Sequence, residues 1–362
     1  MTSDARRPEG LVAGKYRLTR LLGKGGMGAV WEGLHESLGT RVAVKFIDTE
    51  YASSDDVRAR FVNEAKAAAR LRSKHVVQVY DQGVGNDGRP YIVMEFLPGE
   101  PLDRRLDRVH RLSPADTARI VLHVCRALAR AHEAGIVHRD LKPENVFIVR
   151  DDEDETDIAK VVDFGIAKFV DASAAGSSST RTGAVLGTPQ FMSPEQARGL
   201  RSVDHRTDLW SLGVIAYRCL VGVLPFKGEA VGDLLVNICT SDAPVPSSVE
   251  PGVPPGFDGW VRRALAREPQ DRFQSAGDLA EALALVCGSD AKMGGMTSVR
   301  GDLPSFDESR ARGSVTAGPM ATTPAPFSRE SGRKPSLGLL AALFVGVTSA
   351  AVVGARVVMH AE

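Results

Sequence analysis

The stretch from His138 to Gly165 restricts the fold of this chain more than any other feature of its sequence. It reads His138-Arg139-Asp140-Leu141-Lys142-Pro143-Glu144-Asn145 and, further on, Asp163-Phe164-Gly165. Two carboxylates, an amide and an ammonium group thus lie close together in the chain. Transfer of the γ-phosphoryl group of ATP uses such groups, because it needs a proton acceptor, a cation beside the phosphate and oxygen ligands for magnesium. The fold should therefore bring together Asp140, Lys142, Asn145 and Asp163.

The order and the spacing of the two motifs resemble the catalytic and magnesium-binding loops of the protein kinase superfamily. The resemblance implies an α+β fold with two lobes, a small β-rich lobe followed by a larger helical one. It also implies that Asp140 accepts the proton of the substrate hydroxyl and that Lys142 holds the γ-phosphate. Asn145 and Asp163 would bind Mg²⁺, with Mn²⁺ as the alternative ion.

The lysine that follows the catalytic aspartate by two residues indicates the class of kinase. Ser/Thr kinases carry lysine at the position of Lys142, whereas tyrosine kinases generally place alanine and arginine in this region. The chain resembles the bacterial Ser/Thr protein kinases with eukaryotic-like (Hanks-type) domains. This resemblance implies ATP as the phosphoryl donor, serine and threonine hydroxyls of protein substrates as acceptors, and the non-specific Ser/Thr protein kinase class of enzyme.

A glycine-rich turn precedes these motifs and lies between two strand-like runs, Thr19 to Leu22 and Ala29 to Gly33. The missing side chains of such a turn let backbone N–H groups approach phosphate oxygens. A similar pattern can open a dinucleotide-binding helix, but here Val30-Trp31-Glu32 continues as a strand. The kinase-like interpretation assigns nucleotide contacts to Leu22, Gly23, Lys24, Gly25, Gly26, Met27, Gly28, Ala29 and Val30.

Further nucleotide contacts follow from the resemblance. The run Val42-Ala43-Val44-Lys45 would place Ala43 on the adenine ring and Lys45 beside the α- and β-phosphates. Glu64, in a run with helical periodicity from Asp56 to Leu71, would be the ion-pair partner of Lys45. The run from Tyr91 to Leu97 resembles the last small-lobe strand and the hinge, with Met94 as gatekeeper and adenine contacts from the backbone of Glu95 to Leu97.

Residues from Phe164 to Glu195 resemble a kinase activation segment. Arg139, beside the catalytic aspartate, is typical of kinases in which a phosphate on this segment neutralises the arginine and orders the loop. The resemblance therefore predicts regulation by autophosphorylation, with Thr180 and Thr182 as the candidate sites. A merely flexible polar loop is the alternative for this part of the chain.

Structural contacts are also predicted for the large lobe. By resemblance, Glu195 should form an ion pair with Arg272, and Asp208 should anchor the backbone of the catalytic loop. The periodicity predicts a helix from Ala115 to Ala134, with Ser113 as a plausible N-cap.

The charge balance argues against nucleic acid as a partner. The 362 residues include 45 basic and 45 acidic side chains, so the chain has no overall basic field. Its four cysteines are widely spaced and match neither a metal-ligand set nor a disulfide framework, so we expect free thiols. The acidic run from Asp151 to Asp157 lies between two strand-like runs, which favours a solvated hairpin connection over a metal site.

Composition and hydrophobicity divide the chain into five regions. They are an N-terminal tail (1–15), a kinase domain (16–286), a flexible juxtamembrane linker rich in Gly, Ser, Thr and Pro (287–335), one transmembrane helix (336–356) and a short external tail (357–362). The run from Ser336 to Ala355 contains no charged residue, and about twenty apolar residues suffice to cross a bilayer. A buried core helix is the alternative for this run.

Basic residues orient the predicted membrane span. Arg329, Arg333 and Lys334 precede it and only Arg356 follows, so the positive-inside rule places the kinase domain in the cytoplasm, at the inner membrane. Small residues at every fourth position from Gly338 to Gly354 would allow two such helices to form a homodimer. The alanine-rich composition of the segment explains the same pattern without a dimer.

Two other classes of function fit parts of the sequence. A pseudokinase, which binds partners without transferring phosphate, would have lost the lysine, the aspartate or a magnesium ligand, and all of these are present. A small-molecule phosphotransferase of related fold would lack the activation segment. The sequence therefore favours an active Ser/Thr protein kinase.

Overall fold

The computed structural model describes residues 10–25, 28–48, 65, 68–150, 156–164, 189–200 and 202–288. Some predictions concern residues outside these ranges: Gly26, Met27, Glu64, Thr180, Thr182, most of the linker and the transmembrane segment 336–356. Within the described part of the chain, no helix has both the length and the apolar character that a bilayer span requires.

The first part of the chain builds a six-stranded antiparallel sheet. Its strands are β1 (Leu11–Val12), β2 (Tyr16–Gly25), β3 (Gly28–His35), β4 (Arg41–Ile47), β5 (Val79–Val84) and β6 (Pro90–Glu95), in the spatial order β1-β2-β3-β4-β6-β5. Gly25 lies opposite Gly28 where β2 turns into β3, which confirms the predicted strand–turn–strand unit. Residues 68–70 are helical and lie between β4 and β5 in the chain.

This sheet has two apolar faces, because successive side chains of a strand point to opposite sides. On one face, Tyr16, Leu18 and Trp31 belong to a cluster completed by alternate residues of β4 and β6. The other face carries a second cluster, which includes Ala43 and Met94.

The rest of the described chain is mainly helical. Its helices are α1 (Leu102–Val109), α2 (Pro114–Glu133), α3 (Pro194–Ala197), α4 (Arg206–Val221), α5 (Val231–Thr240), α6 (Pro246–Val249), α7 (Phe257–Ala264) and α8 (Ala276–Val286). Helix α4 is the centre of this lobe, since all its residues except Arg206 and Arg218 are buried. A small antiparallel sheet is formed by β7 (Gly99–Pro101), β8 (Val146–Arg150) and β9 (Asp157–Val161).

Two local predictions for this lobe are confirmed. Helix α2 begins after Ser113, whose Oγ accepts the N–H of Asp116 at 3.0 Å. Strands β8 and β9 pair as a hairpin, with Arg150 opposite Asp157, so the acidic run connects two paired strands as expected. All four cysteines are free thiols.

Candidate active site

Asp208, in the first turn of α4, holds the backbone of the catalytic loop. Its fully buried carboxylate accepts the N–H groups of His138 at 2.9 Å and of Arg139 at 2.8 Å. Nε2 of His132, on α2, lies 2.8 Å from the same carboxylate. These bonds offset the cost of burying the carboxylate. They confirm the predicted anchoring role of Asp208.

His138 connects the catalytic loop to the segment that contains Asp163. Its Nδ1 accepts the N–H of Asp140 at 3.3 Å, so the ring proton is on Nε2, which donates to the carbonyl oxygen of Val162 at 3.0 Å. The His138 ring also packs against the ring of Phe164, with centroids 4.9 Å apart. One buried side chain thus fixes the spacing between the two loops.

Two non-glycine residues of the site have a left-handed backbone. The φ angle is 62° at Arg139 and 58° at Asp163. This conformation costs of order 1–3 kcal/mol and persists only where the surroundings hold it. At Arg139, the hydrogen bond to Asp208 provides part of that restraint.

Asp140, Lys142 and Asn145 are in contact. Nζ of Lys142 lies 3.0 Å from Oδ2 of Asp140. Nδ2 of Asn145 donates to the carbonyl oxygen of Asp140 at 2.8 Å and lies 3.4 Å from its Oδ2. The amide therefore fixes the loop, and the ammonium group places positive charge beside the carboxylate.

Lys45, on β4, forms an ion pair with Asp163, and Nζ and Oδ2 are 2.7 Å apart. Burial alone would raise the pKa of Asp163, but the charge and the hydrogen bond of Lys45 outweigh this and hold the pKa below its usual value. Asp163 is therefore ionised at neutral pH, which is the form that binds a cation.

The donor set fits Mg²⁺, which prefers carboxylate and amide oxygens. Asp163 supplies a carboxylate. Because Asn145 donates to the loop through Nδ2, its Oδ1 is left as an acceptor. The N–H of Val162 donates to the carbonyl oxygen of Asn145 at 3.0 Å, which keeps the two ligand-bearing segments adjacent.

The second apolar cluster of the sheet contains the side chains of several residues predicted to contact the nucleotide: Ala43, Met94, Leu22, Val30 and Leu97. Phe147 of β8 and Val162 join this cluster from the larger lobe. Neither residue was predicted from the sequence, although Phe147 follows Asn145 by two residues and strand alternation could have indicated it. The side chain of Ala29 lies in the cluster on the opposite face, which leaves its backbone for a nucleotide.

Other predicted nucleotide residues lie around this cluster. Lys24 is opposite Ala29 in the β2–β3 turn. The N–H of Glu95 donates to the carbonyl oxygen of Gln78 at 2.8 Å, and its carboxylate pairs with Nζ of Lys160 on β9 at 2.6 Å. This ion pair, which sequence reasoning did not find, ties the hinge to the strand that leads to Asp163.

The glycines of the turn differ in their surroundings. A Cβ added at Gly23 or Gly25 would meet no atom of the described residues within 4 Å. At Gly28, it would lie 1.9 Å from the carbonyl oxygen of Phe46. With respect to the described part of the chain, Gly23 and Gly25 are therefore open to an approaching phosphate, whereas Gly28 is tightly packed on β4.

Glu195 and Arg272 form the predicted ion pair. The guanidinium group donates to both carboxylate oxygens, at 2.8 and 2.7 Å, and both residues are buried. Burial would raise the pKa of Glu195, but the hydrogen bonds from Arg272 hold it below its usual value. The pair fixes α3, whose first two residues are the last two of the predicted activation segment.

Residues 16–281 match the sequence profile described as the protein kinase domain. The chain belongs to the protein kinase family. The chain is similar to serine/threonine-protein kinase Pkn1 of Myxococcus xanthus, with 39% identity over 320 residues that cover 85% of this chain and 45% of Pkn1. Serine/threonine-protein kinase PknA of Mycobacterium tuberculosis (strain ATCC 25177 / H37Ra) is 40% identical over 279 residues, which cover 76% of this chain and 62% of PknA.

A solved structure supports the same family. The crystal structure of the Mycobacterium tuberculosis PknI kinase domain matches with a TM-score of 0.61 and 29% identity, and the match covers 77% of this chain and 97% of that one. The chain spans about half the length of the first curated relatives it matches, 45% of one and 48% of another. The predicted kinase domain of the bacterial Ser/Thr type is thus confirmed.

Proposed function

We propose that this protein is an active Ser/Thr protein kinase that transfers the γ-phosphoryl group of ATP to serine and threonine hydroxyls of protein substrates. The observation that carries the proposal is the unbroken polar set of the site, in which Lys142 contacts Asp140 and Lys45 contacts Asp163. A pseudokinase scaffold would be expected to lack one of these groups. The relatives named serine/threonine-protein kinases support the choice of acceptor.

Each residue of this set has one task in the proposed reaction. Asp140 accepts the proton of the substrate hydroxyl as its oxygen attacks phosphorus. Lys142 keeps positive charge beside Asp140 and the transferred group, and Lys45 binds the α- and β-phosphates. Asn145 and Asp163 would hold Mg²⁺, which neutralises phosphate charge when bound.

An assay of phosphoryl transfer to a generic protein substrate tests this function. Asp140→Asn removes the proton acceptor, so we expect a loss of at least about a hundredfold in kcat, with nucleotide binding retained. Lys45→Met should also abolish activity, whereas Lys227→Met, at an exposed lysine of the larger lobe, should leave it unchanged. Equal activity of wild type and Lys45→Met would refute the proposal.

We propose further that autophosphorylation of Thr180 or Thr182 regulates this activity. Support comes from Arg139, whose Nε is buried and has no hydrogen-bond partner among the described residues. A guanidinium with an unused donor beside the catalytic aspartate suits a phosphate group. Mass spectrometry after incubation with Mg-ATP should find phosphate on one of these threonines, and on neither in Asp140→Asn. Phosphate found only elsewhere would contradict the assignment.

We also propose that residues 336–356 anchor the chain in the inner membrane, with the kinase domain in the cytoplasm and a homodimer formed through the helix. The charge-free run and the basic residues before it support this proposal. A protein with residues 1–362 should stay with bacterial membranes after an alkaline wash. The double variant with Phe344→Lys and Val347→Lys should be released. Equal release of the wild type and of the lysine variant would contradict anchoring. If a double variant with Gly346→Leu and Ala350→Leu associated with itself as strongly as the wild type, the homodimer would be contradicted.

A further inference from the structure

Gln196, on α3, is bonded to the backbone of the catalytic loop. Its Nε2 donates to the carbonyl oxygen of Arg139 at 2.8 Å, although the two residues are 57 positions apart in the chain. Gln196 directly follows the predicted activation segment, which ends at Glu195. The bond therefore joins the end of that segment to the residue before the catalytic aspartate.

The bonded carbonyl belongs to the peptide group between Arg139 and Asp140. The N–H of the same peptide group, that of Asp140, donates to Nδ1 of His138 at 3.3 Å. Both polar atoms of this peptide are thus held by side chains, next to the left-handed φ of 62° at Arg139. Rotation of the peptide plane would move the Asp140 carboxylate, so the two bonds set its direction.

The rest of the Gln196 amide is fixed by α3 itself. Oε1 accepts the N–H of Ser193 at 3.1 Å, and Oγ of Ser193 accepts the N–H of Gln196 at 3.4 Å, which is a capping box. The ion pair of Glu195 with Arg272 anchors the same helix. The donor to Arg139 is therefore presented by a rigid element.

We infer that Gln196 is a positioning residue, which orients Asp140 through the Arg139 carbonyl and couples Asp140 to the end of the activation segment. This inference rests on the proposed kinase function. Among the described residues, the hydrogen bonds of the Gln196 side chain go to Ser193 and Arg139, and none goes to Asp140, Lys142 or Asp163.

The substitution Gln196→Glu tests the inference by changing a single donor group. Glutamate keeps the capping box, because it accepts the Ser193 N–H equally well. It replaces the donor to Arg139 by a carboxylate oxygen, which repels the carbonyl. We expect kcat to fall about tenfold, since small misplacements of a catalytic group have large effects on rate. The KM for ATP and the thermal midpoint of unfolding should stay as in the wild type.

Gln274→Glu is the matched control. Nε2 of Gln274 also donates to backbone carbonyls, those of Pro269, Gln270 and Arg272, but Gln274 is not bonded to the catalytic loop. It should leave kcat unchanged. Gln196→Met, which has neither donor nor acceptor, should lower kcat and also the thermal midpoint. A kcat of Gln196→Glu within about twofold of the wild type would overturn the inference, as would a fall matched by Gln274→Glu.

Hydrogen exchange at the Asp140 amide gives a readout that does not depend on activity. Without the Gln196 bond, the peptide should move more freely, and the Asp140 N–H should exchange faster in Gln196→Glu than in the wild type. If the wild type transferred no phosphate, the proposed function would fail, and this exchange rate would still decide the positioning role. Equal exchange in both proteins would overturn the inference alone.

Discussion

At Gly28, the space for a side chain is taken by the neighbouring strand. The residue has a φ of 153°, which side-chain-bearing residues rarely adopt, and a Cβ would collide with the carbonyl oxygen of Phe46. Phe46 adjoins Lys45 on β4, so a shift of this strand would displace Lys45 and disturb its ion pair with Asp163. Gly28 is therefore required for packing, whatever its contact with a nucleotide.

We expect Gly28→Ala to lower the free energy of unfolding by roughly 1–3 kcal/mol, because the backbone has to leave its conformation or displace β4. Nucleotide affinity should fall with it. Chemical denaturation and calorimetric titration with Mg-ADP measure the two effects. Gly23→Ala is the control for stability, since its Cβ would meet none of the residues that the structure describes within 4 Å. Equal stability of the two variants would contradict this account.

At the scale of elements, Arg272 joins three parts of the larger lobe. Its guanidinium donates to Glu195 on α3, to the carbonyl oxygen of Arg206 at the start of α4, and to the carbonyl oxygens of Ala266 and Arg267. All five N–H groups of the side chain are used in this way. Lysine, with three donors on one atom, could not replace this arrangement.

We expect Arg272→Met to lower the free energy of unfolding by roughly 3–5 kcal/mol, because it leaves the Glu195 carboxylate buried without its partner. Adding Glu195→Gln should restore part of the loss. Arg130→Met, which breaks an exposed ion pair with Glu133 on α2, should cost less than about 1 kcal/mol. Thermal unfolding of the four proteins measures these differences. A similar loss of unfolding free energy in Arg272→Met and Arg130→Met would show that the buried ion pair stabilises the fold no more than the exposed one.

Predictability also differs between elements. The local sequence predicts the start of α2 from Ser113 and Pro114. It also predicts the β2–β3 turn, from the glycines between two strand-like runs. The bonds of Gln196 with Arg139 and of Lys160 with Glu95 join residues 57 and 65 positions apart, and no local pattern signals them. Glu195 with Arg272 was predictable only through the family resemblance, since their separation is 77 residues. Local sequence patterns therefore predict the helices and strands. The hydrogen bonds and ion pairs that hold the site in place depend on how these elements pack, which no local pattern predicts.

For the whole molecule, a pair of histidines joins distant parts of the chain. The rings of His75 and His123 are stacked with centroids 4.3 Å apart, and both are buried. Nδ1 of His75 donates to the carbonyl oxygen of Ala159 on β9, whose N–H donates to Nδ1 of His123. Burial lowers the pKa of His75 to about 4 and that of His123 to about 3, and nearby cationic groups such as Lys74 and Arg126 add to this.

Stability should therefore fall as the pH is lowered. Well above pH 6.5, the ordinary pKa of histidine, both rings are neutral in the folded and in the unfolded chain, and the full stability is present. As the pH falls through 6.5, the two histidines of the unfolded chain bind protons that those of the folded chain do not. Stability therefore decreases until the pH reaches the pKa values of the folded chain. We expect a loss of about 2 kcal/mol per histidine between pH 7 and pH 5.

Denaturation at several pH values checks this expectation. His123→Gln should remove about half of the histidine-dependent loss of stability, because one of the two buried rings no longer titrates. His110→Asn, at an exposed histidine, should leave the pH dependence unchanged. A His123→Gln variant with the pH dependence of the wild type would rule out this histidine as a source of the effect.

The β8–β9 hairpin makes the position of the proposed magnesium ligands independent of the length of the connection between its strands. Asn145 and Asp163 stand at one end of the hairpin, where Val146 is paired with Val161, and the acidic connection joins the other end after Arg150. The register of the two strands, and not the length of the connection, fixes the distance between the two proposed magnesium ligands. A reporter peptide inserted within 151–155 should therefore leave phosphoryl transfer intact. This connection is where the protein can acquire new sequence without altering its chemistry.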